Sequence, residues 1–243
     1  MNTEQTLTKL SELKLSGMHR AYLSCIETGS ERLTNDEFLA FLTDAEQDER
    51  KDKKYKRLLS AAKFRYKALI ADVDFSHLRN IDKNNVLRLQ TCSWIQKGQD
   101  LIITGATGTG KSFLASAIGV NACIYGHGVR YFNCGKLFSL LKIAKADGSY
   151  IREINKIAKT PLIILDDFGL NQLEKQDKEI LFEILDDRHA MRSTIITSQY
   201  PVKLWYELVN DNTMADAIMD RITNNSHRIE IKGESMRKLK KQL

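Results

Sequence analysis

Three glycines, a lysine and a serine hydroxyl fall within eight residues at Gly105-Ala106-Thr107-Gly108-Thr109-Gly110-Lys111-Ser112. The spacing is GxxxxGK[ST], a loop whose glycines let the backbone curl so that its N–H groups point inward at phosphate oxygens. A helix starting at Lys111 adds its positive N-terminal end, and Phe113 in its first turn is counted with the loop among the expected nucleotide-binding residues. In such a loop Lys111 reaches the β and γ phosphates and the Ser112 hydroxyl coordinates Mg²⁺, so the expected ligand is ATP with Mg²⁺. A second signal is Leu162-Ile163-Ile164-Leu165-Asp166-Asp167, an apolar strand ending in two acids. Such strands are common, and this one gains weight from the loop: Asp166 is expected to hold Mg²⁺ through its water shell and Asp167 to polarise the attacking water. Thr194 to Gln199 is another apolar run with a polar end, from which Ser198 is chosen as the side chain that senses the γ-phosphate; ordinary strand-end residues remain the alternative.

These residues need a scaffold that brings separate strand ends together. From Leu101 onward, β-branched runs at 101–104, 129–132, 162–165 and 194–197 alternate with helical segments, and 228–231 offers a fifth strand. That rhythm predicts an α/β fold, a doubly wound parallel sheet. Residues 1–74 read as helix throughout, giving a small all-α domain before an ATPase domain at 75–243, with 75–100 as a connector. Thr34-Asn35-Asp36-Glu37 has the form of a capping box, so a helix begins there. Another amphipathic helix is expected to run to Ile70 with Tyr55, Leu58, Leu59, Ala62, Tyr66, Leu69 and Ile70 as its apolar stripe.

The chain has 243 residues, a formal net charge of +6 and a sequence pI near 9.0. Its charge is uneven. Residues 27–49 are acidic, whereas Arg50 to Lys67 holds nine basic residues against Asp52 alone, and Arg237, Lys238, Lys240 and Lys241 form a second cluster. On a helical wheel Arg50, Lys53, Arg57 and Lys67 surround Phe64, a combination suited to a phosphate backbone with a stacking contact and equally to a solvated helix face. The four cysteines lack metal-ligand spacing and read as packing residues. No apolar run is long enough to span a bilayer and no signal peptide is evident, so a cytoplasmic protein without membrane association is expected. Spacing alone leaves Arg221 and Arg237 open between surface charge and a role at the nucleotide.

Taken together, the two Walker motifs, the polar strand end, Met219-Asp220-Arg221-Ile222 and the ending Gly233-Glu234-Ser235-Met236-Arg237 resemble the AAA+ ATPases of the DnaC and IstB group. Leu13-Lys14-Leu15-Ser16-Gly17-Met18, Glu46 with Arg50, and Leu58-Leu59-Ser60-Ala61-Ala62-Lys63 resemble the IstB branch. The resemblance implies a homo-oligomer with ATP at subunit interfaces, double-stranded DNA bound along the assembly, and a separate transposase as partner. By similarity Arg221 takes the arginine-finger place, Arg237 the sensor II place and Ser198 the sensor I place. Asp167 departs from the glutamate common in AAA+ enzymes, which implies slow hydrolysis, and too few residues follow the fourth strand for more than a reduced C-terminal lid. A helicase loader of the DnaC kind shares the ATPase core and is the alternative; a small-molecule kinase would leave the basic helices and Arg221 unexplained.

Overall fold

The computed structural model describes residues 3–28, 33–76 and 79–236. The chain forms two compact units, 1–57 and 58–243. The division therefore falls earlier than the boundary near residue 74 read from the sequence, and residues 58–74 belong with the sheet.

In the first unit, α1 (Thr3–Glu12) and α2 (Ser16–Thr28) precede α3 (Asn35–Ala62), a helix of 28 residues that continues into the second unit. The capping box forms: Thr34 N donates to Glu37 Oε2 at 2.8 Å and Glu37 N donates to Thr34 Oγ1 at 3.3 Å. Glu46, only 6% exposed, accepts the first-turn N–H groups of α2 from Gly17 at 2.8 Å and Met18 at 3.3 Å. This puts a carboxylate at the positive end of α2, and Arg50 pairs with it at 2.7 Å. A Cβ at Gly17 would lie 2.4 Å from Ala45 O, so the close approach of α2 to α3 depends on glycine there. Gly17, Met18, Glu46 and Arg50 thus form one helix-to-helix joint.

The second unit is built on a five-stranded parallel sheet in the order β2-β3-β4-β1-β5. Its strands are β1 (Asp100–Gly105), β2 (Val129–Asn133), β3 (Leu162–Phe168), β4 (Ser193–Ser198) and β5 (Ser226–Ile231). All five apolar runs seen in the sequence are strands. The connector holds α4 (Lys83–Gln90) and the short α5 (Ser93–Gln96), and α6 (Lys111–Ile124) follows β1. Next come α7 (Cys134–Ala146), α8 (Tyr150–Lys159), α9 (Lys175–Asp186), α10 (Trp205–Val209) and α11 (Asn212–Thr223). The sheet is covered on both faces. Ile163 and Leu165 join the main core with side chains of α7, α8, α9 and α11, whereas the intervening Ile164 meets α6 at Gly119.

Arg188 is 1% exposed and donates to the carbonyls of Ile157 and Thr160, both at 2.7 Å, and to that of Ser193. It thereby ties the end of α8 to the starts of β3 and β4. Nearby, Asp100 Oδ1 accepts from Thr194 N at 2.7 Å. Burial pushes the Asp100 carboxyl up to about 7, against the lowering effects of that N–H and of Arg188. A raised folded value means that the fold favours the protonated acid, so this contribution is full below the ordinary value of 3.8 and is lost as pH rises toward about 7. Asp100→Asn keeps the acceptor and removes the titration. Thermal melts of the wild type are expected to fall more steeply than those of the variant between these pH limits, and parallel curves would exclude the effect.

Candidate nucleotide and catalytic site

The carboxyl ends of β1, β3 and β4 converge because β4 lies between the other two. The loop after β1 carries Gly105 to Gly110, with Gly105, Gly108 and Gly110 at φ +149°, +84° and +101°. At Gly108 a Cβ would lie 2.1 Å from Ser235 Oγ, and Gly108 O accepts from Met236 N at 2.9 Å. The Gly-Glu-Ser-Met segment therefore lies directly on the loop. Arg79, 4% exposed, holds it there by donating to Glu234 O at 2.7 Å and to Met236 Sδ, while its Nε pairs with Asp74 at 3.3 Å. Arg237 and the terminal basic cluster lie outside the described residues.

Lys111 is 8% exposed and its Nζ donates to Ala106 O at 2.9 Å, keeping its charge inside the curled loop. Ser112 Oγ donates to Asp166 Oδ1 at 2.8 Å, so the two groups expected to share a cation are adjacent. Thr109 Oγ1 closes the loop on Ala106 O at 2.8 Å, and Thr107 Oγ1 reaches Gln199 Oε1 at 2.8 Å. A cavity of about 480 Å³ runs along this loop, with Tyr66, Val73 and Ile81 as an apolar part and Asp167 and Gln199 as a polar one. Phosphates suit the loop, and a flat base suits the apolar part. Among the described residues no cluster of three His, Cys, Asp or Glu side chains could hold a metal. The hydroxyl and carboxylate oxygens of Ser112 and Asp166 are nevertheless a hard donor pair that fits Mg²⁺ completed by phosphate oxygens and water.

The pairing of β3 with β4 is regular to Leu165 opposite Ile196, then shifts before Phe168 meets Ser198. Asp167 sits in this irregularity at φ +61°. Consecutive strand residues normally face opposite ways, and here the twist lets the two acids share a neighbour. Asp166 is fully buried and accepts from Ser112, Thr197 Oγ1 and the Tyr131 hydroxyl. Burial, followed by the bond to Asp166, pushes the Tyr131 phenol up, so it stays a neutral donor. Asp167 accepts from Asn133 Nδ2 at 3.0 Å. Arg65 NH1 lies 3.2 Å from Asp166 Oδ2 and 3.1 Å from Asp167 Oδ2.

Several sequence expectations change here. Ser198, chosen as the γ-phosphate sensor, turns away: its hydroxyl donates to Phe168 O at 2.8 Å and accepts from Tyr200 N at 3.1 Å. Its neighbour Thr197 is the hydroxyl at the acids, bonded to Asp166 and accepting Asp167 N at 3.2 Å. The expected helix through Ile70 stops at Ala62, where Lys63 takes φ +54°. Phe64 is consequently not on a cationic helix face: its ring sits in the notch left by Gly119, where a Cβ would lie 2.6 Å from it. Arg50 pairs with Glu46 and Lys53 with Glu49 at 3.1 Å, so both charges are compensated, while Arg57 and Lys67 are exposed. Phe113 lines the cavity, its ring 6.2 Å from that of Tyr66. Arg221 pairs with Asp186 at 2.9 Å and Asp220 at 2.7 Å, and it is not among the residues lining the cavity. Sequence reading missed Arg65, Tyr66, Arg79, Tyr131 and Asn133; a basic residue beside an aromatic carries no nucleotide signature until the fold brings it to the acids.

Known proteins agree with this architecture. Residues 8–243 match the family described as IstB-like ATP binding protein. A Sinorhizobium fredii protein named as an insertion sequence ATP-binding protein is 41% identical over 239 residues, covering 98% of each chain. A Pseudomonas fluorescens relative, named for insertion sequence IS1162 as its ATP-binding protein, is 39% identical over 203 residues, 83% of this chain and 88% of its own. Among solved structures the DnaC helicase loader aligns with TM-score 0.55 and 23% identity, over 65% of this chain and 95% of that one. DnaI aligns with TM-score 0.59 and 23% identity, over 73% and 94%. These two likenesses concern the fold alone. The chain belongs to the IstB-like ATP-binding protein family of insertion sequences.

Proposed function

We propose that this protein is a slow ATPase that assembles on double-stranded DNA in its ATP state and recruits or stimulates a partner transposase in the cytoplasm. The observation that carries this reading is the meeting of Lys111, Ser112 and Asp167 at one cavity, with Asp166 buried behind them on Ser112 and Thr197, and Arg221 absent from the cavity lining. In this reading Ser112 and Asp166 hold Mg²⁺, Asp167 orients water, and Arg221 of a neighbouring copy adds a further cation. A carboxylate with one methylene less than glutamate places water closer to the strand, consistent with slow turnover. DNA is assigned to exposed cations including Arg57 and Lys67, a contact that lacks base recognition and weakens with salt.

The test is ATP turnover and particle mass, measured with and without duplex DNA and with a non-hydrolysable analogue. DNA is expected to raise both, and a monomer under all conditions would sink the proposal. Arg221→Ala is expected to leave ATP binding by the isolated subunit intact while lowering turnover by about a thousandfold. Unchanged turnover would exclude the finger role. The helicase-loader reading rests on a fold likeness at 23% identity, whereas an insertion-sequence relative matches nearly end to end at 41%. Stable capture of a replicative helicase rather than a transposase would reverse that preference. No helix among the described residues is long and apolar enough to cross a membrane.

A further inference from the structure

Two neighbouring carboxylates at the end of a buried strand repel one another and attract any cation that fits between them. Here the place beside them is filled by a side chain from the linker after α3. One nitrogen of Arg65 serves Oδ2 of both acids, at 3.2 and 3.1 Å. Its carrier is fixed in steps: Ala62 is buried, the backbone turns at Lys63, and Phe64 is seated at Gly119. The guanidinium also lies 5.5 Å from the centre of the Tyr66 ring, which in turn rests against Phe113 beside the phosphate loop. Asp166 is wholly buried, yet the Arg65 side chain is 40% exposed, so the guanidinium has an open route to solvent.

We propose that Arg65 is a positioning residue of the ATPase site: it is the counter-ion of Asp166 and Asp167 when nucleotide is absent, and it bars a divalent cation from the acids until a triphosphate accompanies it. The proposal rests on reading these acids as the metal-side and water-side carboxylates of an ATPase. A lone hydrated cation would have to displace a charge-assisted contact to both acids while gaining Ser112 and the two carboxylates without any phosphate oxygen in return. A nucleotide brings phosphate oxygens that complete the cation's shell and negative charge that gives the displaced guanidinium a new partner. Metal is thereby admitted with ATP rather than before it.

The experiment measures Mn²⁺ binding to the full, nucleotide-free chain by electron paramagnetic resonance. Arg65→Gln is expected to bind Mn²⁺ at least about tenfold more tightly than the wild type, because one opposing charge has been removed from the acids. Adding Asp166→Asn should return binding to the weak level. A folded Arg65→Gln protein with wild-type Mn²⁺ affinity would overturn the proposal. Should Arg65→Gln not fold, Arg65→Lys replaces it: a point charge that cannot serve both acids should give an intermediate affinity, and wild-type affinity would again refute the role. Binding of a fluorescent ATP analogue by the wild type is followed in parallel. Its absence would refute the ATPase reading itself, whereas normal ATP binding with unchanged Mn²⁺ affinity in the variant would refute only the assignment of Arg65.

Discussion

Lys111→Ala is expected to weaken ATP binding by roughly a hundredfold or more, since hydrogen bonds to charged groups contribute about 1.5–3 kcal/mol each and this ammonium would face several oxygens of a bound triphosphate. The residue is 8% exposed and its Nζ reaches back to Ala106 O within the loop. An alanine leaves the glycine-shaped cradle in place and takes away the cation that makes it electrically suited to a triphosphate. Titration with a fluorescent ATP analogue reads the loss, and an unchanged circular dichroism spectrum separates it from misfolding. Affinity within threefold of the wild type would mean that nucleotide does not bind at this loop.

Thr197→Val is expected to lower turnover by about tenfold to a hundredfold, the size usual for losing one positioned polar group at a reacting centre. Its hydroxyl donates to Asp166 and accepts from Asp167 N, so it sets both acids relative to one another. Valine keeps the shape and loses both bonds. Ser198→Ala should behave differently, costing about 1–2 kcal/mol of stability through the unpaired Phe168 carbonyl while sparing turnover. Steady-state rates and melting curves of the two variants decide between them. A larger rate loss in Ser198→Ala would restore Ser198 as the sensor.

The contrast between these hydroxyls marks the limit of what local sequence conveys. The phosphate loop, the acid-tipped strand and all five strands were legible because glycine spacing and runs of β-branched residues are local signals. Which hydroxyl of Thr197 and Ser198 faces the acids depends on the shifted register between β3 and β4, set by residues far away in the chain. The end of α3 was hidden for a related reason. Lys63 adopts a left-handed conformation without glycine or proline to announce it, and Tyr66 and Ile70 continue a helical period although Tyr66 packs outside any helix and Ile70 opens a separate short 3-10 helix. Phe64 looked like an aromatic among cations because its socket, Gly119, lies in another helix. Arg65 reaches acids about a hundred residues away, a contact that no pattern of neighbours foretells.

Strand order also bears on how the chain acquires its ligand. β1, which leads into the phosphate loop, has β4 and β5 as its neighbours, and both are made last. Gly105 pairs with Ile231, almost at the end of the described chain. During synthesis, which runs from the N-terminus, the loop sequence leaves the ribosome well before either flanking strand exists. Nucleotide therefore cannot guide early folding, and it stabilises only a finished polypeptide. A message truncated before β4 would encode an intact Walker motif in a product with no strand beside β1 and no place for ATP.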